Sequence, residues 1–142
     1  MNSVTDQLTE VIQSRVSALD AKDAAILLER YADDVMLFDA VGPLRARGAG
    51  VEAARLKTWF GAYESPIGCE IRELEVVAGA EVAFAHYLYR IGGIMTDGTK
   101  VGMWLRATVG FRQVAGEWKI VHEHDSVPFD GETTTALVTL TP

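Results

Sequence analysis

Apolar residues near the start of the chain recur with helical spacing. Leu8, Val11, Ile12, Val16 and Leu19 form one stripe of an amphipathic helix over residues 8–19. Arg15 interrupts that stripe, because at about 100° per residue it projects between Val11 and Leu19, near the middle of the apolar face. Ala21-Lys22-Asp23 makes a short break, with Asp23 as the N-cap of a second helix reaching about Tyr31. Asp33 and Asp34 suit a turn, and residues 35–38 form an apolar strand with Asp39 at its end. Alternation puts Val35, Leu37 and Asp39 on one face, and Gly42-Pro43 breaks the chain just beyond. A third helix is predicted over residues 51–63, stopped at Ser65-Pro66, with Trp59, Phe60 and Tyr63 facing the core or a pocket.

After Gly68 the period falls to two. Strands are predicted over residues 69–78, 82–90, 92–96, 100–113 and 117–127, with turns at Gly79-Ala80, Asp97-Gly98 and Ala115-Gly116. On the long strand Val101, Met103, Leu105, Ala107, Val109 and Phe111 share one face; Trp104, Arg106, Thr108 and Arg112 share the other. On the last strand strict alternation groups Trp118, Ile120, His122 and His124 against Lys119, Val121, Glu123 and Asp125. Counting back from Ala115-Gly116 sets Gln113 near Trp118, Thr108 near Glu123 and Arg106 near Asp125, where a salt bridge is expected. Pro128 and Gly131 end the ordered domain, residues 1–130, and residues 131–142 read as a mobile tail or an arm on a neighbouring subunit. Helices first and antiparallel strands afterwards argue an α+β fold.

Composition narrows the function. The chain has 142 residues, 49% hydrophobic and 23% charged, enough for one domain with a real core. A formal charge of −7 disfavours nucleic acid and anionic membrane surfaces as partners. The N-terminus lacks the basic-then-apolar layout of a signal peptide, so a soluble cytoplasmic protein is expected. Cys69 is the one cysteine, so no internal disulfide is possible. The loop RARGAG, residues 45–50, lacks the lysine and flanking elements of a phosphate loop. His122 and His124 could reach one metal, but their carboxylate neighbours face away, and neither a metal nor another cofactor is expected.

The candidate chemistry centres on Asp39. It is either a strand-end turn residue or a carboxylate at the foot of an apolar pocket, usable as a general base. Arg15 either snorkels to the rim or is a cation held inside the cavity, facing Asp39. His122 and His124 are either a structural pair or include a proton donor or ligand anchor.

The run YADD-x4-D-x-VG, residues 31–42, resembles the ketosteroid isomerases, within the superfamily of nuclear transport factor 2 and the SnoaL-like polyketide cyclases. The likeness extends over residues 11–129, and the H-x-H-x-S ending is also similar to SnoaL-like domains and to the association domain of the calmodulin-dependent kinases. It implies three helices packed in a strongly curved antiparallel sheet, a cone enclosing a mostly apolar pocket, and a homodimer on the outer sheet face. It also places the isomerase's general base on Asp39. The isomerase's tyrosine falls on Arg15 and its protonated aspartate near Val109, so two of its three catalytic parts are missing and efficient ketosteroid isomerisation is not expected. Two functions remain. One is an isomerase, cyclase or dehydratase acting on a small apolar carbonyl compound, with Asp39 as base and Arg15 or His124 stabilising the enolate. The pocket would be lined by Trp59, Tyr63, Tyr87, Trp104, Arg106 and His122. The other is a non-catalytic module that holds a small carboxylate-bearing ligand near Arg15 or Arg106, or that only dimerises.

Overall fold

The computed structural model describes residues 3–142. Helix α1, Val4–Asp20, starts at a capping box in which Ser3 Oγ accepts from the Asp6 amide and Asp6 Oδ2 accepts from the Ser3 amide, both at 3.1 Å. It buries Leu8, Val11, Ile12, Ala18 and Leu19. Helix α2, Ala24–Glu29, is capped by Asp23 as expected, but it ends before Tyr31 because that residue already belongs to strand β1, Tyr31–Phe38, and faces Ile120. Asp33 and Asp34 lie inside this strand rather than in a turn. They stay exposed where the pairing shifts register between Tyr31 and Met36. Part of RARGAG is also strand: Ala46–Arg47, β2, pairs antiparallel with Met36 and Leu37. Gly48 then takes φ 107°, a conformation that favours glycine, at the N-cap of helix α3, Ala49–Gly61.

Strands β3 (Gly68–Ala78), β4 (Val82–Ile94), β5 (Lys100–Val114) and β6 (Glu117–Ser126) complete a six-stranded sheet of order β2-β1-β6-β5-β4-β3. The segments expected as two strands over 82–96 are one continuous β4. All pairings are antiparallel except β1 with β6, which runs parallel. The fold class is the α+β arrangement expected, with helices packed against a curved sheet.

The turn at Ala115-Gly116 has positive φ at both residues, 51° and 83°, which suits the right-handed twist of a two-residue hairpin. Gln113 therefore opposes Trp118, as expected. Further on, Phe111 opposes Ile120 while Gly110 opposes His122, so Val121 is an extra residue in β6. That bulge reverses the strand's parity. Ile120 is fully buried among Val35, Val109 and Phe111, and Glu123 and Asp125 point to the same interior side. His122 and His124 face outward, against Phe38. Thr108 opposes His124 and Arg106 opposes Ser126, whose hydroxyl takes the Arg106 Nε–H at 3.0 Å; the expected Arg106–Asp125 salt bridge is not formed, because the two side chains lie on opposite faces.

One core cluster joins Leu8, Val11 and Ile12 of α1 to Val35, Val109 and Ile120. A second joins Leu19 and Leu27 to Leu56, Phe60, Ile67 and Leu105. Residues 128–137 close on themselves through Asp130 N–H to Thr135 O and Leu137 N–H to Pro128 O, each 2.8 Å. No helix among the described residues is long and apolar enough to cross a membrane.

Candidate functional site

Between the helices and the inner face of the sheet lies a cavity of about 780 Å³. Its walls are mostly apolar, from Leu19, Leu27, Leu56, Ile91, Met103 and Leu105. Trp59, Tyr63 and Tyr87 line it. Trp104, Arg106, His122 and His124 do not, since strand parity sends all of them to the outer face. There Trp104 lies under the Arg72 guanidinium at 5.1 Å, and His122 Nδ1–H donates to the Met36 carbonyl at 2.8 Å. Among the described residues no three His, Cys, Asp or Glu are arranged to hold a metal ion.

Of the two alternatives for Arg15, the structure has it inside the cavity, but its carboxylate is Glu123, not Asp39. Nη2 contacts Glu123 Oε1 at 2.8 Å and the Tyr31 hydroxyl at 3.3 Å, and Nη1 donates to Tyr87 at 3.1 Å. Tyr31 donates to the same Glu123 oxygen at 2.8 Å. The side chains of Arg15 and Glu123 are only 13% and 11% exposed, so each needs the other. The bulge at Val121 explains the exchange of partners, because it turns Glu123 inward beside α1.

Next to this pair is a second interior carboxyl. Tyr89 donates to Asp125 Oδ1 at 3.0 Å. Burial raises Asp125 well above the usual carboxylate range, and the adjacent negative Glu123, to which it is hydrogen-bonded, raises it further. Burial would also raise Glu123, but the Arg15 guanidinium and hydrogen bonds from Asp125, Arg15 and Tyr31 hold it low. Of the two, Asp125 therefore holds a proton in preference to Glu123. Burial keeps the phenols of Tyr31, Tyr87 and Tyr89 protonated.

Asp39 lines the cavity from the end of β1, with its side chain about one-third exposed at 32%. Oδ1 accepts the Ala40 amide at 2.8 Å and Oδ2 is held by Arg55 Nη2. Arg55 also reaches back one helical turn to Glu52, Nη1 to Oε2 at 2.9 Å. Glu52 is buried and borders the cavity; burial raises its pKa to about 7, with Arg55 opposing the rise. Cys69, also on the wall, is raised by burial to about 11.

Glu52, Arg55 and Tyr89 were not singled out from the sequence, and Tyr31, Glu123 and Asp125 were named there without a role in the pocket. Glu52 carried a readable signal: with Leu56 and Phe60 it makes the buried i, i+4, i+8 stripe of α3, and a carboxylate there is as anomalous as Arg15 on α1. Glu123 and Asp125 carried none, because strict alternation left open which face of β6 is interior.

No curated protein matches the chain. Among solved structures it is similar to a nuclear transport factor 2-like protein of unknown function from Pseudomonas putida, at 34% identity and TM-score 0.88, covering 97% of this chain and 96% of that one. A nuclear transport factor 2-like superfamily protein from Salmonella enterica aligns at 18% identity and TM-score 0.80, over 92% and 94% of the two chains. A ketosteroid isomerase-like protein from Erwinia carotovora aligns at 20% identity and TM-score 0.74, over 89% and 97%. At those lower identities the likeness is one of fold. The SnoaL-like domain model matches residues 8–130, most of the chain, and this protein belongs to the SnoaL-like family.

Proposed function

We propose that the cavity binds a small, largely apolar molecule bearing a carbonyl or hydroxyl oxygen and moves a proton on it, as a lyase or isomerase does. The observation that carries this reading is one apolar cavity bordered by two carboxyl groups in different settings: Asp39, paired with Arg55, and Asp125 on β6, buried beside Glu123 and hydrogen-bonded by Tyr89. A carboxylate can take a proton from carbon, and a neutral carboxyl can donate a hydrogen bond to the oxygen on which charge develops. Asp39 acts as base once Arg55 releases it; Asp125 becomes the donor when the proton it gives to Glu123 turns to the ligand oxygen, with Tyr89 still donating to Asp125. Arg15 holds Glu123 in place and does not itself meet an anionic ligand, since its charge is already paired. Trp59, Tyr63 and Tyr87 shape the binding wall.

The test uses a panel of neutral cyclic ketones and enones in D2O, with binding followed by calorimetry and exchange of the proton next to the carbonyl followed by NMR. The expected result is binding with exchange in the wild type, and binding without exchange in Asp39→Asn. Binding with no exchange in the wild type refutes the catalytic reading. It would favour a ligand-binding module, the alternative supported by the engagement of both Asp39 oxygens by Arg55 and Ala40.

The protein is further proposed to form a homodimer through the outer sheet face. Val77, Phe84 and Trp104 lie there on the neighbouring strands β3, β4 and β5, with Phe38 further along the sheet on β1, and Phe38 and Phe84 are 37% and 44% exposed.

A further inference from the structure

Arg55 serves two carboxylates at once. Nη1 holds Glu52 and Nη2 holds Asp39, so one positive charge is divided between two negative groups at the cavity wall. The two are not equivalent. The Glu52 side chain is 9% exposed and has no other cationic contact among the described residues, while Asp39 is one-third exposed and also takes a backbone N–H. We propose that Glu52 is a positioning residue that controls Asp39 through Arg55: a protonated Glu52 leaves the guanidinium on Asp39, and an ionised Glu52 draws it away and frees the Asp39 carboxylate to face the cavity. This rests on the reading of Asp39 as the base.

The groups facing Glu52 support a proton-controlled handover. Arg55 lies one turn along α3, Asp39 and Tyr31 stand at the two ends of β1, Glu123 approaches from β6 and Arg15 from α1. Arg15 is already matched by Glu123 at 2.8 Å, leaving Arg55 as the cation available to Glu52. Ionising Glu52 adds a negative charge beside Asp39 and Glu123 in a poorly solvated wall, which both repels Asp39 and strengthens the claim of Glu52 on Arg55. Burial places this ionisation near neutrality, at about 7, where a modest change in pH or in occupancy of the cavity can move it.

Carbon-detected NMR of the side-chain carboxyl groups, with the Arg55 Nε–H followed in parallel, tests this on the ligand-free protein. In the wild type the Glu52 carboxyl should titrate near pH 7, and the Asp39 carboxyl and Arg55 Nε–H resonances should move with the same midpoint. In Glu52→Gln, which keeps the side-chain shape, both movements should vanish. A flat Asp39 or Arg55 resonance while Glu52 titrates overturns the proposal, as does an inflection that persists in Glu52→Gln. No turnover enters the measurement. Loss of exchange activity with the coupling intact would count against Asp39 as base alone, whereas missing coupling with intact exchange would count against the Glu52 handover alone.

Discussion

The Arg15–Glu123 pair allows a quantitative test of the site's construction. Removing the carboxylate in Glu123→Ala strands a guanidinium whose side chain is 13% exposed and which cannot shed its proton at any working pH. The same change deprives Tyr31 of its acceptor at 2.8 Å and Asp125 of its hydrogen-bonded neighbour. Breaking a buried pair from one side costs about 3–5 kcal/mol. Replacing both partners in Arg15→Met with Glu123→Leu removes both charges, so the double variant should lose less than Glu123→Ala alone. Asp39→Ala provides the contrast. Its partner Arg55 is 28% exposed and keeps Glu52, so the loss should stay within about 1 kcal/mol, the range of exposed pairs. Urea unfolding of the wild type, the Arg15 and Glu123 single variants, their double variant and Asp39→Ala gives the coupling energy directly. Additive effects at Arg15 and Glu123, or a larger loss from Asp39→Ala than from Glu123→Ala, would refute the assignment of partners.

Glu52 has a folded-state pKa raised from 4.5 to about 7, so the folded protein holds a proton that the unfolded chain releases. Stability should therefore fall as pH rises through that window, by up to about 2 kcal/mol after allowing for residual solvent contact, and Glu52→Gln should remove that part of the pH dependence in urea titrations at pH 5 and pH 8. Cys69, raised to about 11 by burial, should react with a disulfide reagent at pH 8 far more slowly in the native state than in urea; equal rates would contradict its burial. Analytical ultracentrifugation should give twice the 15.5 kDa chain mass, and Trp104→Asp or Phe38→Asp should shift it toward monomer; a monomeric wild type at micromolar concentration refutes the outer-face dimer.

Local chemistry in the sequence determined most of the elements. The apolar stripe of α1, the Asp23 cap, the Ala115-Gly116 turn and the strict alternation of β5 are short-range features, and each appears close to where the pattern places it. The odd cation at Arg15 was also legible, because a helix stripe reports the direction of a side chain whatever packs against it. Its partner was not. Asp39 and Glu123 were both available carboxylates, and the choice depended on the inserted Val121, which turns Glu123 and Asp125 inward and leaves His122 and His124 outside. A bulge is set by pairing between strands, through the register that β5 imposes on β6 while β6 also pairs with β1. The raised proton affinity of Asp125 and the sharing of Arg55 between Glu52 and Asp39 arise in the same way. They depend on desolvation and on distances between residues far apart in the chain, which only the closed tertiary structure supplies.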